Sequence, residues 1–325
     1  MLYRLRHRAL GPLAGLDGRR GRPPALSRLW AYQRERFPLA AHSPLIAAFS
    51  LSAITFSAWL RGGRPSAHGA LVAFASALVF FLQLRIADEF KDADEDARYR
   101  AYRPVPRGLV SLGELAAVGV AGALLQLGLA LWLSPALVPL LVLVWGYLAL
   151  MTREFFAREW LKARPITYMW THMLIVPLVD FYVTACDWRA AGEPPPAGLP
   201  WLLVASLANG FVIELGRKIR APESEEHGVQ TYSALWGGRR ATLAWLGVMA
   251  AAAAGGTVAA SQIHAAVPAV VLLGALLGAA CVTGASFLAA PAPRRASWIE
   301  RMSGAWTLAL YLSLGPLPRL LSWLS

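Results

Sequence analysis

Blocks of about twenty apolar residues dominate the chain and limit what it can fold into. Apolar residues make up 57% of the 325 residues and charged residues only 15%. A helical block of this length matches the ~30 Å hydrocarbon core of a bilayer, because a helix rises about 1.5 Å per residue. Nine blocks are predicted to span the membrane, at residues 43–60, 68–87, 114–132, 135–151, 165–185, 199–216, 241–260, 265–289 and 303–323. We therefore expect an all-α, polytopic membrane protein, with a basic leader and interfacial helix at residues 1–42 and a nine-helix transmembrane domain at residues 43–325.

The distribution of Lys and Arg predicts the orientation of these spans. With the N-terminus in the cytoplasm, 27 of the 31 Lys and Arg residues fall on the cytoplasmic side. This asymmetry follows the positive-inside rule. It predicts a plasma (inner) membrane protein whose N-terminus and any active site face the cytoplasm. The net charge of +12 does not indicate a nucleic-acid partner, because the basic residues lie between apolar blocks and no nucleic-acid-binding motif accompanies them.

The segment that ends the second apolar block is rich in carboxylates and arginines. It reads DEFKDADED from Asp88 to Asp96 and continues as ARYRAYRPVPRG, which supplies Arg98 and Arg103. Asp88, Asp92 and Asp96 recur every four residues, so on a helix they lie along one face. Magnesium is held by one or two carboxylates plus phosphate oxygens, and Arg binds phosphate through its planar fork. The segment predicts a site for Mg²⁺ and a phosphate-bearing ligand; the alternative is a solvated charged loop.

A second cluster lies at the end of the sixth span, where Glu214 is followed by Arg217 and Lys218. Spans two and six run in the same direction, so both clusters lie on the same side of the membrane. Facing each other, they would hold Mg²⁺ around one diphosphate and stabilise its departure from an allylic carbon. The candidate metal ligands are the carboxylates of both clusters: Asp88, Asp92, Asp96, Glu214, Glu223, Glu225 and Glu226. The three aspartates and Glu214 are also the catalytic candidates.

Three polar residues inside apolar spans are further candidates. His172 and Asp180 lie eight residues apart in span five, on broadly similar helix faces. Ionisable groups inside a membrane are costly, so they indicate function. As functional residues, they would position an acceptor substrate or take a proton from it. The alternative is that each side chain only forms a hydrogen bond between helices. Asn209, five residues before Glu214, would line the same cavity, with polar packing as its alternative.

These motifs resemble those of the UbiA-type intramembrane prenyltransferase superfamily, from about residue 28 to the end of the chain. ADEFKDADED resembles the first aspartate-rich motif of that family, with Ala87 in the place of its Asn. RPVPRG resembles the Arg-Pro run that follows that motif. Gly228-Val-Gln-Thr231 through Gly237 fits the end of the second motif, although the acids before it are glutamates. These departures indicate a divergent branch of the family.

The resemblance implies a bundle of nine transmembrane helices with cytoplasmic capping loops. It also implies Mg²⁺-dependent transfer of an isoprenoid chain from a prenyl diphosphate donor to an aromatic or other acceptor. Family members place diphosphate-binding cations in the connection after span four, where this chain has Lys162 and Arg164. Ordinary positive-inside charge is the alternative for these two residues. Arg98, Arg103, Arg217 and Lys218 complete the predicted diphosphate ligands.

Two other functions stay open from the sequence. Some members of the superfamily cyclise the prenyl diphosphate itself and need no acceptor. An ion-coupled transporter is a different class, whose acids would bind coupling cations. Transporters place such acids near the middle of the membrane beside broken helices, whereas the acids of this chain cluster at the ends of spans. The sequence therefore favours an enzyme.

Overall fold

The computed structural model describes residues 23–318, so the predicted leader at residues 1–22 and the end of the ninth span lie outside the described residues. Within residues 23–318 the chain forms helices and connecting segments, without any β-strand. In chain order, the α-helices are α1 (Ala25–Arg36), α2 (Leu39–Leu60), α3 (Ala67–Lys91), α4 (Ala93–Tyr99), α5 (Leu112–Leu133), α6 (Val138–Thr152), α7 (Arg158–Lys162), α8 (Pro165–Met173), α9 (Ile175–Trp188), α10 (Leu199–Arg217), α11 (Tyr232–Trp236), α12 (Gly238–Ser261), α13 (Ala266–Ala289) and α14 (Pro293–Leu314). Short 3₁₀ segments occur at Pro135–Leu137, Glu154–Phe156 and Pro222–Ser224.

The first eight predicted spans are confirmed. Among residues 23–318, eight helical segments are long and apolar enough to cross a membrane, and each overlaps one of those spans. The fourth begins with the 3₁₀ turn Pro135–Leu137 and continues as α6. The predicted span at residues 135–151 is therefore one continuous helical segment.

The fifth span is broken into two helices. α8 ends at Met173 and α9 begins at Ile175, with Leu174 in a turn between them. Pro177 accounts for the break, because proline has no N–H to donate to the carbonyl of Met173 and its ring clashes with that carbonyl. The break gives the two halves of the span different neighbours. His172 on α8 and Asp180 on α9 therefore lie in different surroundings.

The predicted bounds of the ninth span, residues 303–323, are wrong at its start. α14 begins at Pro293 and ends at Leu314, so it starts ten residues earlier than the apolar block. Ile299, Ser303, Trp306 and Leu310 are buried at helical spacing, and this stripe already begins within the charged part of the helix. The apolar-block criterion missed this start because α14 is amphipathic in its first turns.

Burial separates inner helices from outer helices. In an apolar 18-residue stretch of each span, 56% and 61% of the residues are buried for α8–α9 and α10, whereas only 17% are buried for α5 and α13. The inner helices therefore carry Asp180, Asn209 and Glu214 as buried side chains rather than on the surface that faces lipid. The outer helices present apolar side chains to lipid, as expected where the surrounding solvent is hydrocarbon.

One end of the bundle, which we call the capped face, is where α3 and α10 end and where α1 docks. Arg36 on α1 donates to the buried Glu89 of α3 over 2.6 Å. Arg28 binds Glu114 over 2.9 Å, and Glu114 also forms a capping box with Ser111 at the start of α5. Two ion pairs thus fix α1 across the ends of α3 and α5.

The opposite face is closed by a separate set of polar contacts. Arg61, just after α2, contacts both oxygens of Asp187 over 3.0 and 3.1 Å. Asp187 also accepts from Ser57 over 2.8 Å, and Arg61 reaches Glu193 over 2.9 Å. These contacts join α2 to the end of α9, far from the acidic clusters.

Candidate active site

The first acidic cluster is built where α3 gives way to α4. Asp88 lies in the last turn of α3, and Asp92 is the residue at which one helix ends and the other begins. Asp94, Glu95 and Asp96 occupy the first turn of α4, where the helix dipole favours acidic side chains. The local sequence therefore explains why the carboxylates gather at the capped face.

Asp88 and Asp92 differ in their partners. Asp88 has a side chain 30% exposed and lies 3.3 Å from Lys91 and 3.5 Å from Arg85. Asp92 takes part in none of the ion pairs among residues 23–318. Burial raises the pKa of Asp92, and the nearby carboxylates raise it further against the opposing effect of Lys91. The region around Asp92 is therefore short of positive charge.

Asp96 has a different environment from the other two aspartates. Its side chain is buried and pairs with Arg100 over 3.0 Å and with Arg103 over 2.5 Å. This pairing ties the loop after α4 back onto the helix. The predicted metal role of Asp96 and the predicted diphosphate role of Arg103 stay predictions, and each would require this ion pair to open.

The second cluster stands at the end of α10. Glu214 is buried, and its carboxylate contacts Arg217 over 2.5 Å and Lys218 over 2.7 Å. Tyr232 packs nearby, with the ammonium of Lys218 lying 5.6 Å from its ring centre. Burial and the neighbouring Glu214 raise the pKa of Tyr232, so the phenol stays neutral.

The three glutamates after α10 lie in the segment that leads to α11. Glu225 accepts hydrogen bonds from Thr231 and Ser233 over 2.6 and 2.7 Å, and so holds the start of α11. Glu226 pairs with Arg220 over 3.1 Å. Glu223 is exposed. Glu225 and Glu226 therefore stabilise the segment between α10 and α11, and Glu223 lies on its surface. The predicted metal roles of all three stay predictions.

The two clusters lie at the capped face, and the segments that follow them touch. Tyr99 packs on Gly228 and forms an edge-to-face contact with His227 at 5.7 Å. Arg217 and Asp88 interact electrostatically, although no ion pair joins them among residues 23–318. The structure thus brings together two clusters that are over a hundred residues apart in sequence.

The predicted cations of the connection after span four divide into two groups. Lys162 binds Glu95 and so reaches the first cluster. Arg164 is exposed and lies over the Trp160 ring, with 4.5 Å between its guanidinium carbon and the ring centre. Arg98 on α4 is also exposed. Lys162 is therefore better placed for a diphosphate than either arginine.

Sequence reasoning missed three residues of the site, namely Lys91, Tyr168 and Glu154. Lys91 contacts Asp88 and lies 5.4 Å from the Tyr168 ring centre. The Tyr168 hydroxyl donates to Glu154 over 3.3 Å. The spacing of Lys91, three residues after Asp88, was an available signal because residues at this distance share a helix face. Tyr168 and Glu154 meet only through the tertiary fold.

His172 joins this group, whereas Asp180 does not. The His172 ring stacks on Tyr168 at 3.9 Å, and its Nε2 lies 3.4 Å from Glu154. Burial acts to raise the pKa of Glu154, but His172, Lys91 and Tyr168 together lower it below its ordinary value. The two span-five residues therefore lie in different networks, on either side of the helix break.

Asp180 belongs to a buried polar network deeper in the bundle. It accepts from the Tyr311 hydroxyl over 3.0 Å, and that hydroxyl lies 3.1 Å from Ser206. Asn209 accepts from Thr307 over 3.1 Å. The network joins α9 and α10 to α14. Asn209 faces α14 in this arrangement, and its predicted cavity role, like that of Asp180, stays a prediction.

The carboxylates fit Mg²⁺ only in part. Within residues 23–318, no group of three His, Cys, Asp or Glu side chains is arranged to hold a metal ion. Mg²⁺ often takes only one or two protein carboxylates and fills its other positions with substrate phosphates and water. Asp88 and Asp92 suit this role, because they lie one helical turn apart and Asp92 lacks an ion-pair partner.

Comparison with solved structures identifies the architecture. The chain superposes on an apo UbiA homologue from Aeropyrum pernix K1 with a TM-score of 0.62, at 20% identity over 82% of this chain and 94% of the other. The chain has the UbiA fold. A structure of digeranylgeranylglyceryl phosphate synthase matches with a TM-score of 0.57, at 15% identity over 89% of this chain and 97% of the other. Among residues 23–318 eight helices are long and apolar enough to cross a membrane, and together with the UbiA fold they support an integral membrane protein.

A third structure with the UbiA fold is a homologue from Archaeoglobus fulgidus bound to DMAPP and Mg²⁺. It matches with a TM-score of 0.51, at 12% identity over 87% of this chain and 98% of the other. No protein-family model and no curated protein sequence matches the chain.

Proposed function

We propose that this protein transfers a prenyl group from a prenyl diphosphate to an aromatic or other small or lipid acceptor, with Mg²⁺. The observation that carries the proposal is the contact of Tyr99 with Gly228 and His227, which brings the segments after the two clusters together at one end of the bundle. Carboxylates for a metal, on α3, and cations for a diphosphate, on α10, then lie at the same end of an apolar bundle, where Asp88 and Arg217 interact electrostatically. The UbiA homologue from Archaeoglobus fulgidus, bound to DMAPP and Mg²⁺, supports this assignment.

In this proposal Asp88 and Asp92 hold the metal. Mg²⁺, when bound, supplies positive charge that neutralises the diphosphate oxygens. Arg217, Lys218 and Lys162 bind the diphosphate, and Glu214 keeps the first two oriented through its ion pairs. We assign Glu214 to orientation first, because its carboxylate already has two cationic partners.

The chain's own cations favour departure of the leaving group. The bond between the allylic carbon and the diphosphate oxygen breaks, and the electron pair leaves with the diphosphate. Arg217 and Lys218 stabilise the negative charge that develops there. A nucleophilic atom of the acceptor then bonds to the allylic carbon and loses a proton.

Cyclisation of the prenyl diphosphate remains the second candidate, and the buried Asp180 favours it. This carboxylate lies near aromatic rings, since Tyr311 contacts both Asp180 and Phe49, the latter with 5.0 Å between ring centres. Aromatic faces stabilise cations, and a carboxylate would accept the proton that a carbocation loses. Ion-coupled transport has no comparable support.

We further propose that the capped face lies on the cytoplasmic side of the plasma membrane. The Lys and Arg residues collect on this side of the chain, in agreement with the positive-inside rule. Residues 43–325 would form the catalytic domain, and residues 1–42 the basic leader with its interfacial helix. Protease protection of tags at the two ends, in sealed membrane vesicles, tests this orientation.

The test of the reaction is diphosphate release by purified protein, with and without Mg²⁺, over a panel of prenyl diphosphates. Asp88→Asn and Asp92→Asn should each lower kcat/KM by about 10²-fold or more, because loss of even a residue that supports a metal ligand costs about 10–100-fold. Asp94→Asn is the matched control, because Asp94 is exposed in the same segment. Its activity should stay within twofold of the parent.

Mass spectrometry of the organic products separates the two candidates. Prenylated acceptor, formed only when acceptor is present, supports transfer, whereas a hydrocarbon or alcohol formed without acceptor supports cyclisation. Full activity of both Asp88→Asn and Asp92→Asn would refute the site.

A further inference from the structure

A groove on the outer surface of α6 lies apart from the candidate active site. It has a volume of about 530 Å³, within the range of about 300–1,000 Å³ that is typical of small-molecule sites. Its lining residues follow the lipid-facing side of α6 and the turn after it: Val142, Leu143, Gly146, Tyr147, Ala149, Leu150, Arg153 and Phe156. Leu141, Val144 and Met151, on the other side of the helix, are buried in the bundle. The groove therefore opens to the bilayer.

The length of the groove matches one leaflet. From Val142 to Arg153 is eleven residues, or about 16 Å of helix at 1.5 Å per residue. Half of the ~30 Å hydrocarbon core is about 15 Å. The middle of the groove is widened at Gly146, where an added Cβ would meet no atom within 4 Å. A single acyl chain of the leaflet on the capped face fits this shape.

At the capped face, the groove ends at an arginine that is not paired with any carboxylate among residues 23–318. Arg153 caps the end of α6, and its guanidinium takes part in none of the ion pairs and side-chain hydrogen bonds found among residues 23–318. Its neighbours are engaged, since Arg158 donates to the Lys91 carbonyl and Arg164 to the Trp160 carbonyl. Arg153 is thus placed at the level where a phospholipid phosphate lies.

The turn beside Arg153 is held in an unusual conformation. Glu154, Phe155 and Phe156 have φ values of 50°, 51° and 58°, in the left-handed region. Such a conformation costs roughly 1–2 kcal/mol per residue and persists only where its surroundings impose it. Glu154 points inward to His172, whereas Phe156 is 80% exposed and closes the end of the groove. The turn fixes one wall of the groove.

We propose that this groove binds one anionic phospholipid of the leaflet at the capped face. Its acyl chain lies along α6 and its phosphate is held by Arg153. A single arginine suits a phosphodiester with one negative charge. A prenyl diphosphate carries more charge and is better matched by the two cations at Glu214, Arg217 and Lys218. The proposal does not depend on the proposed reaction.

The test is lipid retention by purified protein in native mass spectrometry, with phosphatidylglycerol and phosphatidylcholine supplied at equal concentration. The parent should retain one phosphatidylglycerol at least tenfold more often than phosphatidylcholine. Arg153→Gln should abolish this preference. Arg240→Gln, at another exposed arginine, should keep it.

A second pair of variants tests the acyl part of the site. Gly146→Leu fills the groove and should reduce retention of phosphatidylglycerol at least fivefold. Gly128→Leu is its control, because Gly128 is also exposed on an outer helix with nothing within 4 Å of an added Cβ. Correct folding is checked by the thermal unfolding temperature of each variant.

Three outcomes would overturn the proposal. These are equal retention of the two lipids by the parent, unchanged preference in Arg153→Gln, and loss of a bound prenyl diphosphate rather than of phosphatidylglycerol in that variant. Diphosphate release, measured separately in the same preparations, reports on the reaction and not on this site.

Discussion

Replacing Gly228 by alanine would disturb the contact that joins the two capping segments. Gly228 has φ of +76°, and a Cβ added there would lie 2.6 Å from two carbons of the Tyr99 ring. Real Cβ atoms essentially never come this close, so either the ring or the loop must move. Because Tyr99 follows the first cluster and Gly228 the second, the substitution should separate the segments that cover the site.

The expected size of the effect has two parts. A left-handed alanine costs roughly 1–2 kcal/mol whatever its neighbours. The overlap with Tyr99 adds a further cost of about 1–3 kcal/mol, as in other overpacked sites. Gly108→Ala is the matched control, because Gly108 also has φ of +76° and an added Cβ there would meet nothing within 4 Å. The difference between the two variants therefore isolates the overlap.

Two measurements on the purified protein compare Gly228→Ala with Gly108→Ala. Thermal unfolding in detergent should show Gly228→Ala to be less stable than Gly108→Ala. The Kd for a prenyl diphosphate should rise by about 5–150-fold in Gly228→Ala, if closing the segments is coupled to binding by 1–3 kcal/mol. Adding Tyr99→Ala should bring Gly228→Ala back to the stability and affinity of Gly108→Ala, because it removes the overlapping ring and leaves only the cost of the left-handed alanine. Equal behaviour of the two glycine variants, or no rescue by Tyr99→Ala, would refute the contact between the segments.

Three further outcomes follow from named contacts. The raised pKa of Asp92 means that the folded metal-free protein binds a proton that the unfolded chain has released, so stability should fall as pH rises from the ordinary aspartate range to the raised value. Added Mg²⁺ should reverse this loss of stability in unfolding measurements. It should also move the acid limb of the pH-rate profile to lower pH. Asp92→Asn should remove both responses to Mg²⁺. Glu89→Gln removes the carboxylate that pairs with Arg36, whose side chain is only 12% exposed, and should cost up to about 3–5 kcal/mol in unfolding free energy. The double variant Arg36→Met with Glu89→Leu should cost far less, and equal losses in the two variants would count against the ion pair. Glu154→Gln should destabilise the protein by about 1–3 kcal/mol through its contacts with His172, and an unchanged unfolding temperature would argue that the left-handed turn needs no such anchor.

The sequence alone predicted the helices and the face on which the acids lie. The cost of placing a segment in hydrocarbon depends mainly on its own residues, so eight spans follow directly from composition along the chain. Their number and direction then place Asp88 and Glu214 on one side. The start of α14 was missed because its first turns are stabilised by one buried stripe rather than by overall hydrophobicity.

The tertiary structure alone decided which polar groups meet. Asp88, Asp92 and Asp96 have equal spacing in the sequence, yet only Asp96 is buried against two arginines of its own loop. His172 and Asp180 separate because Pro177 breaks their helix. Such pairings are set by contacts between segments far apart in the chain, where burial and neighbouring charge determine the state of each group, and no local pattern encodes them.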